Sequence, residues 1–238
     1  MTFKTHYSSS SGNLYQVVAA NGKRLLLECG VVWAKLQKAL DHDLEGLEGC
    51  LVSHSHHDHC KSVREVQRAG IDVYASAETF EALGGITVTR RSLVMADMQI
   101  RHLPSFDVLA FATVHGDCDG SLGFVVREKE TREYLLFAID TAYLRQAFPY
   151  EFSIIAIGMN FDSETIERRV ESGALHESVG RRILKSHPSV KWVKQYLTES
   201  VVTDKLREIH LLHGSAGNLD RDKAVREIKK AVPFVEVF

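Results

Sequence analysis

Four histidines and an aspartate fall within six consecutive residues, His54-Ser55-His56-His57-Asp58-His59. Imidazole and carboxylate are the donors that hold zinc and similar divalent ions, so the run is read as metal-binding. On a tight loop after a strand, alternate side chains can turn toward one point, which lets His54 and His56 share one ion while Asp58 and His59 address a second. His57 falls where it points away from both. It is left outside the ligand set, as a substrate donor, a brace for a ligand or a solvated side chain.

Two ions need further ligands, and three downstream apolar runs end in a suitable group: Thr113-Val114-His115, Ala138-Ile139-Asp140 and Leu211-Leu212-His213. Strand ends along one sheet edge lie close in space even when far apart in sequence. The resulting assignment is His54, His56 and His115 on one ion, Asp58, His59 and His213 on the other, and Asp140 bridging. Each downstream residue alone has a plainer reading, as a core histidine or, for Asp140, as a cap on a helix after Thr141. The six-residue cluster tips the balance. Cys60 and Cys118 lie near proposed ligands, but the histidines suffice, and with Cys29 and Cys50 they read as reduced thiols, small and apolar in their packing. His6, His42, His102, His176 and His210 follow no ligand pattern.

Two divalent ions roughly 3.5 to 4 Å apart hold a bridging hydroxide at neutral pH, since metal binding lowers the pKa of water toward about 7. The expected reaction is hydrolysis, with Asp58 and Asp140 positioning the hydroxide. The ions expected are two divalent metals per chain, zinc foremost, with manganese, iron or nickel suited to the same donors. Attack on phosphorus also needs an acid for the departing oxygen, and His187 is the candidate for that acid or for a phosphate contact. Ser186 and Ser189 flank it, so the segment reads equally as a helix start with Pro188 near the first turn. Further substrate candidates are Ser11, Gly12 and Asn13 in the loop Ser8 to Asn13, then Asn160, Ser189 and Asn218. Each of these residue types also shapes turns.

The elements that must position these groups follow from periodicity. Leu14 to Ala20 and Lys23 to Glu28 are strands joined by Asn21-Gly22, the pair that best tolerates a two-residue hairpin turn. Val31 to Leu40 has helical spacing, Cys50 to Val52 is a buried strand leading into the histidine run, and Lys61 to Ala69 is helical with Gly70 as its stop. Asp72 to Ala75 and Ser76 to Leu83 repeat strand and helix. Strand-like runs then dominate: Ile86 to Val88, Met98 to His102, Val108 to Val114, Leu122 to Arg127 and Tyr134 to Ala138. The last third alternates again, with strands Ile154 to Ile157 and Ile209 to Leu212 and helices over Glu164 to Glu171, His176 to Lys185, Val190 to Leu197 and about Arg221 to Ala231. This order suits an α/β fold of four αββα layers, two mixed sheets face to face with helices outside.

The 238 residues, 45% hydrophobic and 25% charged, have the size and balance of one globular domain, 1–238. A net charge of −2 offers no general attraction to polyanions. The polar amino terminus lacks signal-peptide features and no apolar run nears the ~20 residues of a membrane span, so a cytoplasmic address and no membrane partner are expected. Between Glu164 and Gln195, Arg168, Arg169, Arg181, Arg182, Lys185, Lys191 and Lys194 oppose four glutamates. A solvated helix face explains most of these charges, and a nucleic acid or nucleotide substrate is compatible with them. The sequence leaves oligomeric state open, a dimer included.

The motif His54-x-His56-x-Asp58-His59, with His115, Asp140 and His213 in that order, resembles the signature of the metallo-β-lactamase superfamily. That resemblance spans nearly the whole chain and implies the αββα sandwich with a dinuclear site at one edge of its sheets. Ser8 to Asn13, Leu26-Leu27-Glu28-Cys29-Gly30, Asp140-Thr141-Ala142-Tyr143, Asn160, Ser186-His187-Pro188-Ser189 and His213-Gly214-Ser215 with Asn218 resemble, more narrowly, the YycJ or WalJ branch of bacteria and phages, described as double-strand DNA exonucleases. Two positions depart from that branch: Gly116, where an aspartate is commoner, and Pro188, where leucine is. The resemblance implies a metal-dependent phosphodiesterase or exonuclease. The residues alone also admit a small-substrate hydrolase acting on a cyclic nucleotide, thioester or lactone, or a metal-stabilised accessory module without turnover.

Overall fold

Asn21-Gly22 turns the chain back between strands β2 (Gly12–Val18) and β3 (Arg24–Leu27), with Gly22 at φ +78° and the Ala19 N–H donating to Lys23 O at 2.8 Å. A strand precedes this hairpin that the apolar pattern does not announce: β1 (Thr2–Ser9), antiparallel to β2, with Phe3 its one buried residue and the rest exposed or half-buried. Its short turn brings Gly12 to φ +154°, where an added Cβ would lie 2.7 Å from Gly30 O. The computed structural model describes residues 1–84, 89–116, 118–201, 203–215 and 217–238; the expected strand Ile86 to Val88 lies outside them. The described strands form two mixed sheets, of six and seven strands.

The chain divides into two compact units, the first comprising Met1–Ala112 and Cys118–Glu133, the second Thr113–Asp117 and Tyr134–Phe238. In the first unit, β1 to β3 continue into three parallel strands, β4 (Leu47–Leu51), β5 (Val73–Ala75) and β6 (Ser92–Val94), ordered β1-β2-β3-β4-β5-β6. Parallel neighbours need crossovers. α1 (Trp33–Ala39) supplies one, α2 (His57–Cys60) and α3 (Val63–Arg68) the next, and α4 (Ala77–Ala82), capped by Ser76 accepting from Thr79 N–H, lies between β5 and β6. Leu14, Leu26, Leu36, Val52, Val66 and Val73 meet in a core closed to solvent. The antiparallel strands β7 (Ile100–His102), β8 (Phe106–Ala112) and β9 (Leu122–Glu128) complete this unit.

The second unit holds β10 (Tyr134–Ala138), β11 (Ile154–Gly158), β12 (Glu208–Leu212) and β13 (Glu236–Val237), all parallel in that order. Every residue of β11 is buried, as expected of a parallel strand covered on both faces. Burying each of Ile154, Ile155 and Ile157 contributes about 1.5–3 kcal/mol. The helices are α5 (Ser163–Glu171), α6 (Glu177–Ser186), α7 (Val190–Tyr196), continued by a π-helical segment Leu197–Val201, and α8 (Arg221–Ala231). Asp220 caps α8 by accepting from Lys223 N–H.

Two expectations are corrected. The histidine run is not a loop throughout, because His57, Asp58 and His59 already belong to helix α2. No helix follows Thr141 directly, so Asp140 is not a cap; it sits at φ +46° in an irregular segment. The short strands β6 and β13, three and two residues long, go unannounced because they hold too few residues to show a period. Among the described residues no helix is long and apolar enough to cross a membrane.

Candidate metal centre

In the first unit, β4 delivers Val52 and Ser53 and then His54, which is 1% exposed. His54 Nδ1 lies 2.8 Å from Ser53 Oγ, and its Nε2 lies 3.1 Å from Nδ1 of His56. The His54 and His59 rings are 4.0 Å apart between centroids. One helical turn from His56 to His59 brings His59 back toward His54, and His59 Nε2 lies 3.4 Å from Asp58 Oδ2. His57 is exposed on the other side of that turn.

Three neighbours brace this turn. Asn13 Nδ2 donates to Asp58 O at 3.1 Å and lies 3.4 Å from both Asp58 Oδ2 and His59 Nε2, while Asn13 Oδ1 accepts from Tyr15 OH. Glu28, wholly buried at φ +65°, accepts from Ser53 N–H through Oε1 and sets Oε2 3.4 Å from His59 Nδ1. Gly30 comes so close to the turn that an added Cβ would fall 1.6 Å from Asp58 O. Sequence reasoning assigned no role to Glu28. Its one signal is a carboxylate between apolar Leu27 and Cys29, where burial demands a partner.

In the second unit, β10, β11 and β12 run parallel, and just beyond their carboxyl ends come Asp140, Asn160 and His213, all buried. Asn160 Nδ2 donates to Asp140 Oδ1 at 2.8 Å and lies 3.0 Å from His213 Nδ1, so one amide orients both. His213 Nε2 is 3.4 Å from Asp140 Oδ2. Asp140 and His213 both adopt positive φ, +46° and +54°. Such conformations cost about 1–3 kcal/mol for a non-glycine residue and gather at functional sites. Thr141 Oγ1 accepts from Val114 N–H at 3.0 Å and so ties the His115 segment to Asp140. His115 donates Nδ1–H to Ser186 O at 3.0 Å, so Nε2 is the ring nitrogen that carries the lone pair a metal would take.

His115, Asp140 and His187 each present a donor atom within 4.8 Å of the other two. His187 therefore belongs to this cluster and is not merely part of a helix start, although Ser189 beside it does cap α7 by accepting from Trp192 N–H. Other candidates are placed differently. Asn218 gives its amide to Ser215 and accepts from Arg169, a turn-shaping role. Ser11 is exposed at the β1–β2 turn, and Gly12 serves the close approach to Gly30. Cys60 donates to the Ser55 and His56 carbonyls at 3.1 Å, and burial foremost raises its pKa, which keeps it a thiol. Arg168, Arg181 and Arg182 are exposed on their helices, and Arg181 pairs with Glu177 one turn away.

The donor chemistry fits divalent ions. Two neutral imidazoles at the His54–His56 distance share one proton at most, whereas a cation accepts a lone pair from each. Each unit adds a carboxylate to its imidazoles, Asp58 in the first and Asp140 in the second, and these are donors of the kind zinc takes.

Comparison with known proteins agrees with this chemistry. A family model described as "Beta-lactamase superfamily domain" matches residues 23–176. An exodeoxyribonuclease YycJ of Bacillus anthracis is 24% identical over 97% of this chain and 88% of its own. The metallo-beta-lactamase fold protein YhfI from Bacillus subtilis superposes with a TM-score of 0.70 at 16% identity, covering 99% of this chain and 94% of that one. Zn(2+)-bound PqqB from Methylobacterium extorquens gives a TM-score of 0.68 at 11% identity, covering 100% and 97%. These likenesses establish the αββα fold that the sequence led us to expect.

Proposed function

The chain belongs to the beta-lactamase superfamily, which supports a metal-dependent hydrolase, and from that premise we propose a dinuclear phosphodiesterase acting on nucleic acid as an exonuclease. The candidate ligands are His54, His56, Asp58 and His59 within the first unit, and His115, Asp140 and His213 within the second. The observation that carries the reading is the convergence of His115, Asp140 and His187 within 4.8 Å at the end of a parallel sheet. The 24% identity to an exodeoxyribonuclease directs it toward DNA, and a zinc-bound relative of the same fold makes zinc the first metal to try.

When bound, divalent ions supply Lewis acidity and a water acidic enough to ionise near neutral pH. The protein's own groups supply the rest. Asp58 and Asp140 place negative charge that orients and accepts protons from the attacking water. His187 handles the leaving group. Ser186 Oγ gives its hydrogen to Arg182 O, so it accepts Nδ1–H from His187, and the Nε2 edge is left facing Asp140 Oδ1 at 3.9 Å. Protonated at both nitrogens, the ring releases its Nε2 proton to a departing oxygen while Ser186 holds Nδ1–H in place.

Incubation of the full chain with end-labelled double-stranded DNA and Zn²⁺ or Mn²⁺ tests the proposal. Metal-dependent release of nucleotides from the ends, abolished by chelator and by Asp58→Ala, is the expected outcome. Absence of product from every DNA and RNA form, with metal demonstrably bound, would overturn it.

A further inference from the structure

We propose an anion site in the first unit, a cavity of about 290 Å³ lined by four arginines, suited to the phosphate of a small phosphorylated ligand such as a nucleoside monophosphate. Arg64, Gln67 and Arg68 line it from one face of α3, and Thr89, Arg90 and Arg91 from the segment leading into β6. Residues three and four apart share a helix face, which is why Arg64, Gln67 and Arg68 arrive together.

Arg64, Arg68 and Arg90 are exposed, and the charge around the cavity is one-sided. Arg91 is neutralised by Asp72, Nη1 to Oδ1 at 2.7 Å. Among the described residues no acid pairs with Arg64, Arg68 or Arg90, and no acidic residue lines the cavity. Helix stability explains only one of the three. A cation in the last turn, as Arg68 is, complements the helix dipole, but Arg64 in the first turn opposes it and Arg90 lies on no helix. Guanidinium groups brought together without a counter-charge repel, and the partner that relieves this is an anion taking their paired N–H groups. Gln67 is 6% exposed and Thr89 adds a hydroxyl, so the walls are polar as well as charged. The volume is at the small end of ligand pockets, roughly 300 Å³ upward, which suits one phosphorylated small molecule rather than a polymer.

The cavity is separate from the histidine run. β4 and β5 are parallel, with Cys50 beside Val73. His54 follows the carboxyl end of β4, whereas Gly70 and Asp72 precede the amino end of β5, at the opposite end of the same sheet. Occupancy of this site does not need the metal ligands.

Calorimetric titration of the metal-loaded full chain with adenosine 5′-monophosphate and with inorganic phosphate tests the proposal, alongside R64A/R68A, R90A and the ligand variant H115A. The expected result is a binding step at least tenfold weaker in R64A/R68A and in R90A, present in H115A, with metal content unchanged in the arginine variants. Phosphate alone binding as tightly as the nucleotide would assign the site to the phosphate group itself. Equal affinity and stoichiometry in wild type and both arginine variants would overturn the site. Arginine-dependent binding of a single-stranded oligonucleotide, far tighter than that of the mononucleotide, would overturn the small-ligand assignment in favour of nucleic acid. Since all three arginines are at the surface, R90A tests the site even if R64A/R68A fails to fold.

Discussion

Glu28 sets its Oε2 3.4 Å from Nδ1 of His59, and neither side chain reaches solvent. A carboxylate behind a ligand histidine fixes the ring and its tautomer, turning the Nε2 lone pair outward and raising its basicity. Replacing Glu28 by Gln keeps the volume and removes the charge. Metal affinity is then expected to fall about 10–100-fold, read by competition with a chromophoric chelator. Unchanged affinity in a folded Glu28→Gln protein would reduce Glu28 to packing.

Gly30 supports the same turn from below by leaving room. A Cβ there would lie 1.6 Å from Asp58 O and 2.6 Å from His59 N, both backbone atoms that cannot rotate away. Gly30→Ala must displace the Asp58–His59 peptide, and overpacking of this kind costs about 1–3 kcal/mol or more. Urea denaturation should show that loss, accompanied by weaker metal binding. A variant as stable as wild type would mean that the turn has another position to occupy.

These two relationships mark where the sequence stops being legible. The histidine run stands out because its spacing is local, and the strand-end positions of Asp140 and His213 because apolar runs announce the strands that end there. Glu28 is paired with a residue 31 positions away, a contact that no periodicity encodes. The left-handed backbone at Asp140 and His213 is likewise invisible, since neither residue type requires it. Asn160 and Asn218 look alike in sequence, yet one orients Asp140 and His213 while the other closes a turn against Arg169. Strand β1 was missed because it buries little, and pattern reading depends on burial.

His210, on β12 three residues before His213, offers a pH test of stability. It is 8% exposed, stacked on Phe238 at 4.8 Å, and desolvation lowers its pKa more than nearby Glu208 raises it. A histidine with a depressed folded pKa stabilises the protein above its unfolded value, about 6.5, and that contribution is lost as pH falls through the folded pKa. Stability should therefore decline as the pH drops below about 6.5, and His210→Phe, which preserves the stack, should flatten that part of the curve. An unchanged slope in thermal melts from pH 7.5 to pH 5 would contradict this.

The role given to His187 can be separated from mere proximity to the metal ligands. Its ring is held by Ser186 and lies 5.3 Å from His115 between centroids, with 19% of the side chain exposed. An acid that protonates a poor leaving group contributes about 10²–10⁴-fold to the rate. His187→Gln should thus lower kcat on DNA by at least about 10²-fold with little change in bound metal. On a phosphodiester whose leaving group is p-nitrophenolate, which departs without protonation, the same variant should lose far less. Equal losses on both substrates would show that His187 acts on binding or on the metal ions, and parallel loss of metal would make it a ligand.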